Sequence, residues 1–149
     1  MLYKITFRGP FKVHKNLEAK IIVLKLVPGF DDGSIYALIR HSDNLRAIVL
    51  ELYGTGNGPS NKGSLLNAIE EATCKGIIVV ATSQCLRGGV YLETYSLGRE
   101  FLRKGVLSAG DMTTEACVTK LAYLCGRLEK NDDISTAFTK SLRGEITLL

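Results

Sequence analysis

Apolar positions along this chain follow two rhythms that take turns. Short β-branched runs bounded by Gly, Pro, Asp or Asn alternate with stretches whose apolar residues return every three or four positions. Lys20 to Val27 reads as a strand, stopped by Pro28-Gly29. Asp31 or Asp32 then caps a helix carrying Ile35, Leu38 and Ile39 on one face. Ala47 to Tyr53 reads as the second strand. Ser60 or Asn61 opens a helix with Leu65, Leu66, Ile69 and Ala72 at helical spacing, ending at Gly76. Ile77 to Ser83 is a continuous apolar run, as a central parallel strand buried on both faces requires. Gln84 to Tyr95 reads as a long loop around Gly88-Gly89, and Ser96 to Lys104 as a helix closed by Gly105. Val106 to Ala109 fits a short edge strand. Thr113 begins a helix with Cys117, Leu121, Leu124, Cys125 and Leu128 on one stripe, leaving Met112 and Tyr123 off it for contacts with another surface. A last helix starts at Asp132 or Asp133 and ends near Leu142, while Met1 to Glu18 is irregular and mildly basic.

Strands separated by helices imply right-handed crossovers and a parallel sheet. The expected fold is an α/β three-layer sandwich, flavodoxin-like or Rossmann-like, with a short parallel sheet and helices on both faces. Functional loops then lie at the strand C-terminal ends: Pro28 to Asp32, Gly54 to Ser60 and Thr82 to Tyr95. The second is the most informative. Leu50-Glu51-Leu52-Tyr53 runs into Gly54-Thr55-Gly56-Asn57-Gly58-Pro59, and a helix follows, whose N-terminus offers free N–H groups to an anion. Pro59 stands where a dinucleotide fingerprint needs its third glycine, and Gly58 to Gly63 lacks the Gly-Lys-Ser/Thr of a Walker loop. The loop suits a small ligand, a subunit contact, or simply a tight turn that needs glycines.

Composition narrows the classes. The 149 residues suffice for one domain with an ordinary core, and 46% hydrophobic with 23% charged is globular. A net charge of +4 is spread out, with no basic cluster interleaved with aromatics, so nucleic acid is not an expected partner. The apolar runs are too short to span a membrane, and the N-terminus lacks a signal-peptide pattern. A soluble, cytoplasmic protein is expected. Cys74, Cys85, Cys117 and Cys125 form no CxxC pair, and only His14 and His41 could join them, so neither a metal site nor any cofactor is expected. Cys117 and Cys125 read as buried structural thiols.

Several segments, in order and at family-like spacing, carry a resemblance over about Lys20 to Ile146. They are Tyr53-Gly54-Thr55-Gly56-Asn57-Gly58-Pro59, Ile78-Val79-Val80 to Gln84-Cys85, Tyr95 with Gly98, and Gly105 through Thr113. Glu115-Ala116, Lys120-Leu121 and Leu142-Arg143-Gly144-Glu145-Ile146-Thr147 continue it. The chain resembles the C-terminal domain of type I (cytosolic) L-asparaginases. The asparaginase-like domain of the archaeal tRNA-dependent amidotransferase subunit shares several of these segments.

The resemblance implies residues 1–19 as an interdomain linker or arm and 20–149 as the domain. It also implies that the catalytic threonines, aspartate and lysine belong to an N-terminal domain whose motifs are not in this sequence. The chain thus reads as half an enzyme, a fragment with no catalytic residue of its own; Thr113-Thr114 lacks the context a threonine nucleophile needs. The family has this domain complete the active site of a neighbouring subunit in a homo-oligomer, through the loop after the third strand. Tyr95 matches that position; it would hydrogen-bond the α-amino or carboxylate group of L-asparagine, or else merely pack at a helix start. Glu93 is the acidic substitute, and Asn57 the polar candidate of the glycine loop, unless it only serves as a left-handed turn residue. Some bacterial relatives bind asparagine allosterically near the strand-end Gln-Cys. Ser83 and Cys85 match that pattern, but Glu51 stands where an arginine is expected, reversing the charge. Cys85 alternatively fills a small buried apolar position. A free-standing α/β binding or interaction module without chemistry is the competing class, with a flavin-binding module further off.

Overall fold

The computed structural model describes residue 10 and residues 13–18, 20–58 and 62–147. Among these residues four parallel strands form one sheet: β1 Ile21–Lys25, β2 Ala47–Leu52, β3 Ile78–Ser83 and β4 Leu107–Ser108. Among the described residues five helices accompany them: α1 Asp32–His41, α2 Lys62–Cys74, α3 Ser96–Arg103, α4 Thr114–Cys125 and α5 Asn131–Phe138. The strand order is β1-β2-β3-β4. Each right-handed crossover between consecutive neighbours lands on the same side of the sheet. That side therefore carries α1, α2 and α3, packed on Leu26, Ile48, Leu50, Leu52, Val79 and Ala81. After β4 the chain crosses to the other face, where α4 and α5 cover Ala47, Val49, Ile78 and Val80. Helices thus lie on both faces, as the alternating pattern predicts. Because the order never reverses, the crevice of a doubly wound sheet does not arise within it.

Local chemistry explains the element ends. Of the two candidate caps for α1, Asp31 serves, accepting from the N–H groups of Gly33 at 3.1 Å and Ser34 at 3.2 Å. Those bonds, with the Ser34 hydroxyl first among them, hold the Asp31 carboxyl below its ordinary range. The α2 cap assigned to Ser60 or Asn61 lies outside the described residues. The last helix corrects its expected limits: it follows Lys130, has Asp132 and Asp133 inside its first turn, and ends at Phe138. It stops short of Leu142 because Glu145 folds back, its carboxylate accepting from the N–H groups of Leu142 and Arg143 at 2.9 and 2.6 Å. A second correction concerns Met112, which is buried in the α4–α5 core and not free for outside contacts. Cys117 is buried as expected, and Cys125 only partly so.

Candidate functional site

The parallel sheet gathers its candidate residues at one end. There Lys25, Glu51 and Thr82 lie side by side in register, as do Leu52 and Ser83 one residue on. The glycine loop closes tightly: Tyr53 N–H donates to Asn57 O at 2.8 Å and Asn57 N–H returns to Tyr53 O at 3.0 Å. Gly54 and Gly56 carry its positive φ angles, 50° and 129°, where a side chain would strain the backbone. Asn57 does not: no described residue other than glycine has positive φ, so the left-handed alternative for Asn57 is corrected. Its Oδ1 instead accepts the Gly58 N–H at 2.9 Å while the residue stays exposed. The Tyr53 hydroxyl is buried without a partner among the described residues.

The long loop after β3 is pinned at many points. Tyr91 N–H donates to Thr55 O and Val90 N–H to Gly110 O, both at 2.8 Å, and Ser108 Oγ donates to Val90 O at 2.8 Å. Arg99 Nη1 donates to Glu93 O, also at 2.8 Å. A Cβ at Gly98 would run into the Leu92 carbonyl, so only glycine lets α3 approach the loop this closely. Inside, Val90, Leu92 and Leu97 are buried. Outside, Tyr91, Glu93 and Tyr95 project into solvent, with Tyr95 43% exposed. Tyr95 precedes the first residue of α3 but caps nothing with its side chain. The packed-aromatic alternative therefore has no support in its burial. The Tyr91 bond to Thr55 ties this loop to the glycine loop, and Gly58 lies against Leu97. Asn57, Glu93 and Tyr95 thus belong to two loops fastened into one surface.

Glu51, Ser83 and Cys85 share the same end but not the same face. Ser83 Oγ donates to Gly54 O at 2.6 Å and accepts the Cys85 N–H at 3.0 Å. Glu51 points toward α4, where its carboxylate accepts the Thr114 hydroxyl at 2.7 Å; Thr82 Oγ1 lies 3.3 Å from the same hydroxyl. A carboxylate at the start of α4 also matches the positive end of the helix dipole. Cys85 is exposed, which corrects the buried-apolar alternative. Gln84 staples the strand ends, its Nε2 donating to Leu26 O at 2.5 Å and Glu51 O at 2.9 Å. Thr82, Gln84 and Thr114 escape sequence reading because Glu51 and Thr114 stand 63 positions apart. No periodicity links them.

Chemically, this end offers hydroxyls, amides and carboxylates for hydrogen bonding. Thr114 and Glu51 pair, but no lysine among the described residues bonds to that pair to activate the hydroxyl as a nucleophile. Among the described residues no group of three His, Cys, Asp or Glu could hold a metal ion. No described helix is long and apolar enough to cross a membrane.

Fold and surface together define a parallel α/β module that presents a rigid, tyrosine-bearing loop edge, with no assembled catalytic group among the described residues. The glutaminase/asparaginase C-terminal domain family matches residues 20–138, and the chain belongs to that family. It is 35% identical over 139 residues to L-asparaginase 1 of Escherichia coli K12, covering 93% of this chain and 40% of that protein. It is 32% identical to a glutamyl-tRNA(Gln) amidotransferase subunit of Thermococcus kodakarensis, covering 97% of this chain and 32% of that one. The crystal structure of L-asparaginase I from Vibrio cholerae superposes with a TM-score of 0.85 at 34% identity, over 94% of this chain and 41% of that one. The chain therefore spans about two fifths of the length of the asparaginases it matches.

Proposed function

We propose that this chain is the C-terminal part of an amidohydrolase that converts L-asparagine to L-aspartate and ammonia. In this reading residues 1–19 are the linker from an N-terminal domain that carries the nucleophile, and residues 20–149 form the domain. The whole works as a cytoplasmic homo-oligomer without a cofactor. Four free cysteines suit a reducing compartment. The observation that carries the reading is the loop of Tyr91, Glu93 and Tyr95: it is held by backbone bonds and the Gly98 contact, yet its tyrosines and glutamate are turned outward. A rigid loop with exposed polar aromatics is what closing a neighbour's pocket requires. Tyr95 hydrogen-bonds the substrate's charged α-substituents, with Glu93 and Asn57 beside it. The chain alone, lacking nucleophile and base, releases no ammonia from asparagine.

The test joins the chain to a catalytic N-terminal half. Tyr95→Phe should lower kcat/KM about ten- to a hundred-fold, the worth of one hydrogen bond to a charged group. Mixing that variant with one lacking the catalytic threonine should restore part of the activity, since the two defects then fall in different sites of a hybrid dimer. No recovery, with subunit exchange confirmed, overturns the intersubunit role.

Two further readings have specific support. The amidotransferase likeness favours an asparaginase-like domain of a tRNA-dependent amidotransferase subunit. Ammonia transfer to a charged tRNA, with no free asparaginase activity, would favour it. Glu51, Ser83 and Cys85 lie at the ends of neighbouring strands, which is the support for an allosteric amino-acid site at that sheet end. Because Glu51 faces α4 and Ser83 the glycine loop, the ligand would reach Glu51 with its α-ammonium across the strand ends. Loss of sigmoidal asparagine dependence in Glu51→Gln is its expected signature; hyperbolic kinetics in the native enzyme removes it.

A further inference from the structure

On the outer side of α4, that helix and the segment after α5 enclose a cavity of about 490 Å³ that includes none of the residues of the loop surface. Its size is that of a small-molecule site. Ala116, Leu124, Leu128 and Leu142 give it a carbon floor, with the Tyr123 ring at one side. Lys120 reaches into it, but Glu145 neutralises that ammonium at 2.6 Å. The unmatched charges are Arg127 and Arg143, both exposed on the rim. Neither has a carboxylate within ion-pair distance among the described residues. Both are nevertheless positioned. The Arg127 guanidinium lies over the Tyr123 ring at 4.8 Å and donates to its hydroxyl, while Arg143 Nη1 donates to Leu142 O at 2.7 Å. Each arginine keeps further N–H donors for a planar anion.

We propose that this cavity binds a small amphipathic anion, a carboxylate or sulfonate on an aliphatic or aromatic body. The apolar body lies on the leucine floor and the head group is taken by Arg127 and Arg143. Charge selects this occupant over the others within reach. The chain's own N-terminal arm is one of those, since the His14 ring packs edge-on to Tyr123 with centroids 6.1 Å apart. That arm, residues 1–19, carries Lys4, Arg8, Lys12 and Lys15 against the single acid Glu18, so it would add net positive charge to a cationic rim. A second copy docking through the same face would set arginines against arginines. An inorganic anion would satisfy the rim and leave the carbon floor wet. A neutral apolar ligand would cover the floor and leave both guanidiniums unmatched.

The experiment uses the full chain, with anilinonaphthalene sulfonate as fluorescent reporter and decanoate as competitor. Decanoate should displace the reporter with a dissociation constant below about 1 mM. Decanamide, the uncharged counterpart, should bind at least about tenfold more weakly, because it forgoes the charge-assisted bonds. Arg127→Gln/Arg143→Gln changes only exposed side chains, so its thermal melt should match the native one while decanoate affinity falls roughly ten- to a hundred-fold. Methyl resonances of Leu124, Leu128 and Leu142 should shift on titration. Equal binding of decanoate and decanamide, unchanged affinity in the double variant, or shifts confined to other methyls would each overturn the proposal. Binding that appears only after residues 1–12 are removed would make the arm the occupant. A dimer that binds no decanoate until dissociated would make it a second copy. Either result overturns the proposal.

Discussion

Replacing Glu145 with Gln perturbs the one nearly buried ion pair among the described residues. Side-chain exposure is 3% at Lys120 and 15% at Glu145, with Nζ and Oε1 2.6 Å apart. Burial by itself pushes the Glu145 carboxyl upward. The Lys120 bond and the N–H groups of Leu142 and Arg143 outweigh it and hold the group down at about 2, from an ordinary 4.5. A gap of that size corresponds to about 3 kcal/mol of folding stability at neutral pH. The Glu145→Gln variant would leave the Lys120 ammonium with the Lys140 carbonyl at 2.6 Å and the Phe138 ring at 5.2 Å as its remaining partners. Those contacts set the expected cost near the low end of breaking a buried pair, about 3 kcal/mol in urea unfolding at pH 7. Lys120→Met in the same chain should recover part of the loss, since the unpaired charge is then gone. The folded-state value lies below the unfolded one, so the contribution is complete above about pH 4.5 and disappears as pH falls through about 2. The gap between native protein and Glu145→Gln should therefore shrink to about half or less at pH 3. A gap under about 0.5 kcal/mol at pH 7, or one that stays constant down to pH 3, would refute the pairing.

Gly98→Ala should destabilise the chain by about 2 kcal/mol or more and speed proteolysis between residues 84 and 95, because the new methyl meets the Leu92 carbonyl; native-like protection there would refute the tight approach. Thr114→Val should cost about 1–2 kcal/mol in a thermal melt, leaving the Glu51 carboxylate without its hydroxyl donor. An unchanged melting temperature would mean the bond adds nothing. Burial pushes the Cys117 thiol up to about 12 against the opposing pull of Lys120, whereas Cys74 and Cys85 are exposed. A disulfide-exchange reagent at pH 8 should thus modify Cys74 and Cys85 in seconds to minutes and Cys117 only after denaturation; equal rates would place α4 off the sheet.

The hydrophobic rhythm by itself determined the elements and their class. A run such as Ile78 to Ala81 has no polar face to turn outward, so it must be covered on both sides, and the helices between strands force parallel pairing. Local rules reached the Asp31 cap and the Thr113 start of α4, where a short side chain meets its own backbone three residues on. They failed at the end of α5, because what stops that helix is a carboxylate returning from Glu145 toward Lys120, and neither end of that bond is visible in spacing. Segment identity pointed to the loop of Glu93 and Tyr95, but only packing shows that it is pinned to Thr55, Gly110 and Gly98 with its polar side chains outward. Strand order, the Glu51–Thr114 bond and the arginine-rimmed cavity beside α4 were likewise decided by tertiary structure. Each depends on groups brought together from distant positions, and such encounters are set by how whole layers pack, not by any residue's near neighbours.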